Sequence, residues 1–290
     1  MHQPVLLEEV LKYLDPKTNE NFIDCTIGEA GHTRAVLELN APDGKILGID
    51  VDAESLKRIE PQERLVLAHG NFNDLKKVAA ENNFSKVNGI LFDLGLSSWQ
   101  IEESGKGFTF RKEEPLIMIL NGKQEVTAEE IINKWPEESL VEIFEKYGEE
   151  AYTRRIVREI VKERRLHPIK NTIQLRNIVM RAVPFSITRR GAISRVLARI
   201  FQALRIVIND ELENLKKGLE QATEIVVPGG RIVVISFHSL EDRVVKNFFK
   251  EKRAQNILEI LTDKPIIADE IEISINYRSR SAKLRAALKK

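Results

Sequence analysis

The chain has 290 residues, 42% hydrophobic and 31% charged, with 45 Lys and Arg against 44 Asp and Glu; that suits one large globular domain, or one domain carrying an insertion, and excludes a disordered or fibrous protein. Cys25 is the single cysteine, which excludes an internal disulfide framework and a multi-cysteine metal site. No apolar run approaches the ~20 residues that span a bilayer and residues 1–5 do not open a signal peptide, so the expected location is the cytoplasm, with no membrane partner.

The first half alternates strand and helix. Residues 21–26 (NFIDCT), 45–50 (KILGID), 64–68 (RLVLA) and 87–94 (VNGILFDL) read as strands, and 32–39, 53–59 and 74–81 as helices. Near-continuous apolar strands between helices predict a parallel sheet covered on both faces. Residues 97–110 read as a loop. Thr127 with Glu130 fits a capping box, and helical spacing continues through Ile143, Phe144, Ile156, Val157, Ile160, Leu175 and Ile178. The reading is therefore a sheet domain, 1–108 with 195–290, interrupted by a helical subdomain, 109–194. A long helix is predicted over 199–226, ended by Pro228-Gly229-Gly230. Residues 231–236 (RIVVIS) follow as a buried strand and 240–250 as a helix. The alternating 270–275 (EIEISI) reads as a last, antiparallel strand.

The near-neutral charge is unevenly spread. Residues 153–205 hold fourteen Lys and Arg against two acids, Glu159 and Glu163, and the last thirteen residues hold six with no acid. One basic helix is as readily a solvated face as a binding one, but two separate basic segments point to a polyanion such as nucleic acid.

Candidate binding residues gather at the ends of the predicted strands, where open α/β sheets bind ligands. The first strand runs into a turn bearing Gly28 and Gly31, whose small residues let the backbone approach a ligand. Asp50 closes the second strand, where an acid can accept both ribose hydroxyls. Phe72 follows the third, where its ring could pack on an adenine, and Asp93 ends the fourth. This pattern indicates an adenine nucleoside cofactor without choosing between NAD and S-adenosylmethionine.

Longer blocks narrow the choice. They are His2-Gln3-Pro4-Val5-Leu6-Leu7, residues 26–34, Asp93-Leu94-Gly95-Leu96-Ser97-Ser98-Trp99-Gln100, Gly107-Phe108-Thr109-Phe110, Tyr147-Gly148-Glu149-Glu150, Phe201-Gln202-Ala203-Leu204-Arg205-Ile206, Asn209-Asp210-Glu211-Leu212, residues 235–243 (ISFHSLEDR) and residues 276–285 (NYRSRSAKLR). In these the chain resembles the 16S ribosomal RNA cytosine-N4 methyltransferase family over almost its whole length. The resemblance implies a class I methyltransferase fold, α/β with a Rossmann-like sheet and an inserted all-helical subdomain for substrate recognition. It implies S-adenosylmethionine as cofactor, held by Gly28, Ala30, Gly31, His32, Asp50, Phe72, Asp93 and Gln100, and 16S ribosomal RNA or the small ribosomal subunit as partner. Whether the chain acts as a monomer or a homodimer stays open.

A sulfonium brings its own leaving group, so no metal is called for; the protein has to align the acceptor and exclude water. The cytosine amino group is a poor nucleophile, and acceptors on its two protons would help it. Asp93 and the carbonyls of residues 94–97 are candidates, although Asp93 could equally serve the cofactor alone. His238, just past a strand end, is as readily a satisfied hydrogen-bonding residue as a catalytic one. The chain departs from the family at Ala30, where a glycine is usual, at Ile117 and Ile119, where an acid and a base are usual, and at residues 195–198. Two other readings therefore compete: a nicotinamide-dependent oxidoreductase, and a divergent paralogue that keeps cofactor and RNA binding with another target or without catalysis.

Overall fold

The computed structural model describes residues 4–121, 124–189 and 192–290, which divide into two compact units, Met1–Gly95 with Leu212–Lys290, and Leu96–Glu211.

The first unit is built on one seven-stranded sheet. Its strands are β1 (Phe22–Asp24), β2 (Ile46–Asp50), β3 (Leu65–His69), β4 (Val87–Asp93), β5 (Val226–Ser236), β6 (Leu258–Ile260) and β7 (Lys283–Lys289), in the order β3-β2-β1-β4-β5-β7-β6. The first five run parallel, while β7 lies antiparallel between β5 and β6. β1 and β2 are buried throughout, which explains their unbroken apolar character. Phe22, Ile46, Leu91 and Val233 pack on one face with Leu6, Val10 and Val36; Ile23, Leu47, Ile90 and Phe92 pack on the other with Leu75, Leu215, Leu219 and Phe249. Each such side chain contributes roughly 1.5–3 kcal/mol through its burial. The strand order reverses between β1 and β4, so their carboxyl ends flank the crevice where doubly wound sheets take ligands. This mixed sheet with helices on both faces is the class I methyltransferase architecture, Rossmann-like in its parallel half.

The second unit is helical. Its helices Ala128–Lys134, Glu137–Lys146, Thr153–Arg164, Thr172–Ala182 and Ile193–Asn209 bury one continuous apolar cluster that includes Ile131, Leu140, Phe144, Ile156, Ile160, Leu175 and Phe201. The unit extends beyond 109–194 at both ends, because Phe108, Val196, Ile200 and Leu204 belong to its core.

Three expectations are corrected. Residues 270–275 form a helix, not a strand: the Asp269 carboxylate accepts the Glu272 N–H at 2.7 Å and caps it, and only Ile273 turns toward the core. Three alternating isoleucines fit either period over six residues, so the cap decides. The single helix over 199–226 is two, Ile193–Asn209 and Glu211–Ile225. Asp210 breaks it at φ 50°, a left-handed conformation Asp tolerates better than most residues. Pro228, Gly229 and Gly230 do not end that helix at a loop; they lie inside β5, where its pairing with β4 shifts register.

Candidate active site

The carboxyl ends of β1, β2 and β4 each carry an aspartate: Asp24, Asp50 and Asp93. Asp24 is buried, accepting the Thr33 hydroxyl at 2.7 Å and the Thr26 N–H at 3.1 Å. Asp50 is also buried; its Oδ2 accepts the Gly28 N–H at 3.0 Å and its Oδ1 the Asp52 N–H at 2.9 Å. Asp93 keeps 27% of its side chain exposed. Its backbone N–H donates to Thr26 Oγ1 at 2.6 Å, and its Oδ1 is buried with no hydrogen-bond partner. Among the described residues none of the three pairs with a lysine or arginine. Loss of water around the charged form therefore pushes their pKa values up, Asp24 and Asp50 to about 6 and Asp93 to about 7, with Glu241 adding to the rise at Asp93.

The turn after β1 carries strain. Gly28 has φ 49° and Ala30 φ 60°, left-handed values that suit glycine and cost an alanine roughly 1–2 kcal/mol. Ala30 is fully buried beside Ile27 and Ile59, so its methyl is spent on packing. It is also the N-cap of the Gly31–Leu39 helix and offers no side-chain acceptor to the first-turn amides. A Cβ on Gly31 would lie 2.7 Å from the Pro4 ring, so glycine lets the N-terminal segment close over the turn.

His32, read from the sequence as a cofactor contact, is buried. Its Nε2 lies 2.9 Å from the Val5 carbonyl and its Nδ1 3.5 Å from Asp93 Oδ2. Phe72 is half-buried on a short turn after β3 and sets its ring edge-on to Phe92, centroids 5.6 Å apart. Gln100 is placed in the helical unit, where it is buried and closes a capping box with Ser97. His238 caps the Ser239–Ala254 helix: its Nδ1 accepts the Glu241 N–H at 3.4 Å, and Glu241 Oε2 accepts the Phe237 and His238 amides. The residues gathered in the sheet unit that sequence reasoning passed over are Asp24, Thr26, Thr33 and Glu241. Asp24 ends its strand just as Asp50 and Asp93 do, so the same strand-end signal could have found it.

The basic segments prove unequal. In β7, Arg285 is buried and forms a two-toothed ion pair with Asp242, at 2.6 and 3.3 Å. Lys289 donates to the Thr223 carbonyl and Lys290 to Asn256. The C-terminal cations thus largely serve the fold, a correction to their reading as a polyanion face. In the helical unit, Arg181, Arg199 and Arg205 pair with Glu163, Glu150 and Glu211. Arg155, Arg158, Lys162 and Arg165 are exposed and recur at helical spacing opposite the buried Ile156, Val157, Ile160 and Val161. The side chains of Arg189 and Arg190 lie outside the described residues. Ile117 and Ile119 are half-buried beside the buried Leu116 and Met118, and Ile119 packs on the helical core. Asn209 holds that segment: its Nδ2 donates to the Met118 carbonyl and its Oδ1 accepts the Leu120 N–H.

A family model described as the MraW methylase family matches residues 1–290. The chain is 42% identical to the ribosomal RNA small subunit methyltransferase H of Halothermothrix orenii, over 99% of this chain and 97% of that protein. It is 44% identical to the protein of the same name from Thermotoga neapolitana, over 99% and 95%. Among solved structures, an rRNA methylase from Streptococcus thermophilus aligns over 100% of this chain and 98% of its own with a TM-score of 0.42 and 10% identity.

Proposed function

The chain belongs to the MraW methylase family, and on that premise we propose that its strand-end aspartates work for an S-adenosylmethionine-dependent methyl transfer to the N4 amino group of a cytidine in small-subunit (16S) ribosomal RNA. The observation that carries the site assignment is the trio Asp24, Asp50 and Asp93, carboxylates at neighbouring strand ends without a lysine or arginine partner among the described residues. Such a donor set fits a cationic ligand, and S-adenosylmethionine carries both a sulfonium and an ammonium. When bound it supplies an activated methyl group whose leaving group needs no metal.

In this assignment Asp50 holds the ribose. Each of its oxygens already accepts one backbone N–H and keeps a second lone-pair direction for a hydroxyl. Phe72 flanks the adenine with a ring face. The Gly28–Gly31 turn brings backbone close to the cofactor, and the uncapped amides of the Gly31–Leu39 helix favour its carboxylate. Gln100 is assigned to the cofactor only by carry-over from the family pattern. Asp93 is the catalytic group: its unpartnered Oδ1 accepts an N–H from the target amino group, whose lone pair is otherwise delocalised into the ring. His238 acts at one remove, by holding Glu241.

The helical unit recognises RNA, with Arg155, Arg158, Lys162 and Arg165 as phosphate contacts. The target base leaves its stack to reach Asp93. A paralogue without catalysis is not favoured, since the relatives match across the full length. Isothermal titration with S-adenosylmethionine and NAD, followed by methyl incorporation into small ribosomal subunits, tests the reading. Binding of the first ligand alone, with incorporation, is the expected result; NAD binding or a lack of incorporation would overturn it.

A further inference from the structure

The contacts of His32 determine where its proton sits. The Val5 carbonyl can only accept, so the Nε2 that lies 2.9 Å from it must carry a hydrogen. Burial lowers the pKa of this histidine and so favours the neutral ring. A neutral ring with its hydrogen on Nε2 presents a bare lone pair on Nδ1, and that lone pair faces Asp93 Oδ2 at 3.5 Å. Two acceptors face each other there unless one proton lies between them. The Val5 carbonyl is itself anchored. Leu6, at φ 54°, donates its N–H to Glu272 Oε1 at 2.7 Å, which pins the segment that carries the Val5 carbonyl. Asp24 and Glu272 face His32 with negative charge, and Glu241 faces Asp93.

We propose that His32 is the positioning partner of Asp93 and the store for the proton that leaves the methylated amino group, with the Val5 carbonyl as its tautomer lock. This rests on the methyl-transfer reading above. In the step, the amino lone pair forms the new N–C bond as the C–S bond breaks with its electron pair on sulfur. The nitrogen, now carrying a surplus proton, passes it to the Asp93 carboxylate. Asp93 shares that proton with His32 Nδ1, and the resulting imidazolium is offset by Asp24. His32 thus acts through Asp93 and touches neither substrate nor methyl group.

Two measurements on the full chain test this. The first is the pH profile of single-turnover methyl transfer to small ribosomal subunits, for wild type and His32→Gln, an amide that can still reach the Val5 carbonyl but cannot store a proton. The variant is expected to lose about 10- to 100-fold in rate at saturating S-adenosylmethionine and to move the acidic limb down by about one pH unit. An unchanged limb in a folded variant overturns the inference. The second is nitrogen NMR of labelled histidine in wild type with S-adenosylhomocysteine bound, which needs no variant. Nε2 should stay protonated at every pH, with Nδ1 taking up a proton as pH falls; a neutral ring protonated on Nδ1 overturns the inference. Wild type that transfers no methyl at any pH fails the underlying reading instead, and the NMR result still decides the tautomer.

Discussion

Lowering the pH from 7.5 to 5.5 should release the cofactor, because it neutralises carboxylates that no lysine or arginine pairs with among the described residues. Asp93 and Asp50 have pKa values raised by burial to about 7 and about 6. Over that interval the ionised fraction of Asp93 falls about 25-fold and that of Asp50 about 4-fold, so binding that needs both charges weakens about a hundredfold, or ~3 kcal/mol. Isothermal titration across the range measures this directly. S-adenosylhomocysteine, which lacks the sulfonium, should show a shallower slope, and Asp50→Asn should remove the smaller component. In the folded apo chain these acids hold protons that the unfolded chain releases above about pH 4, so their contribution to stability is present at low pH and lost as pH rises through 6 to 7. The cofactor reverses that trend by favouring the ionised forms. An affinity that is flat between pH 5.5 and 7.5 would refute the claim that these carboxylates meet the cofactor's charge.

Asp93→Asn should raise apo stability at pH 8, by up to about 4 kcal/mol if the full shift is realised, with almost no effect at pH 4; chemical denaturation at both values checks it. Ala30→Gly relieves left-handed strain but loosens the unfolded chain, so thermal melting should show a change within about 1 kcal/mol. A cofactor affinity that rises more than about tenfold in that variant would mean that the methyl crowds the site. Arg285→Ala should destabilise the fold by about 1.5–3 kcal/mol, since it leaves the half-buried Asp242 carboxylate with only the Lys283 ammonium 3.9 Å away, and denaturant midpoints will show this whatever the RNA affinity does. Arg158→Glu with Lys162→Glu should weaken RNA binding and flatten its salt dependence while leaving cofactor affinity and melting unchanged. Filter binding at several salt concentrations reads the first effect.

The sheet was legible because its first four strands are short, apolar and alternate with helices. Of the four strand-end signals from the first half, Gly28, Asp50 and Asp93 lie at or just past the carboxyl ends of the neighbouring strands β1, β2 and β4, and Phe72 lies on the turn after β3. What stayed hidden depends on contacts distant in sequence. The run 283–289 looks like a basic tail, yet β7 is an interior strand whose one buried cation, Arg285, is neutralised by Asp242 forty-three positions away. The helix at Glu270–Ile275 was masked by an alternation too short to separate period two from period 3.6. The break at Asp210 carries no proline or glycine to announce it. His32 was recognisable as a site residue, but its partner Val5 lies twenty-seven positions upstream, and no local pattern shows which ring nitrogen carries the hydrogen.

The most direct test of the whole account is to locate the methyl group. Small ribosomal subunits lacking the modification would be incubated with the protein and methyl-labelled S-adenosylmethionine, and the RNA digested to nucleosides and to defined fragments for mass spectrometry. The account predicts one labelled nucleoside, N4-methylcytidine, confined to a single fragment of the 16S RNA and lost with Asp93→Ala. Label on another base, or on the ring carbon of cytosine, or full labelling by Asp93→Ala would contradict it.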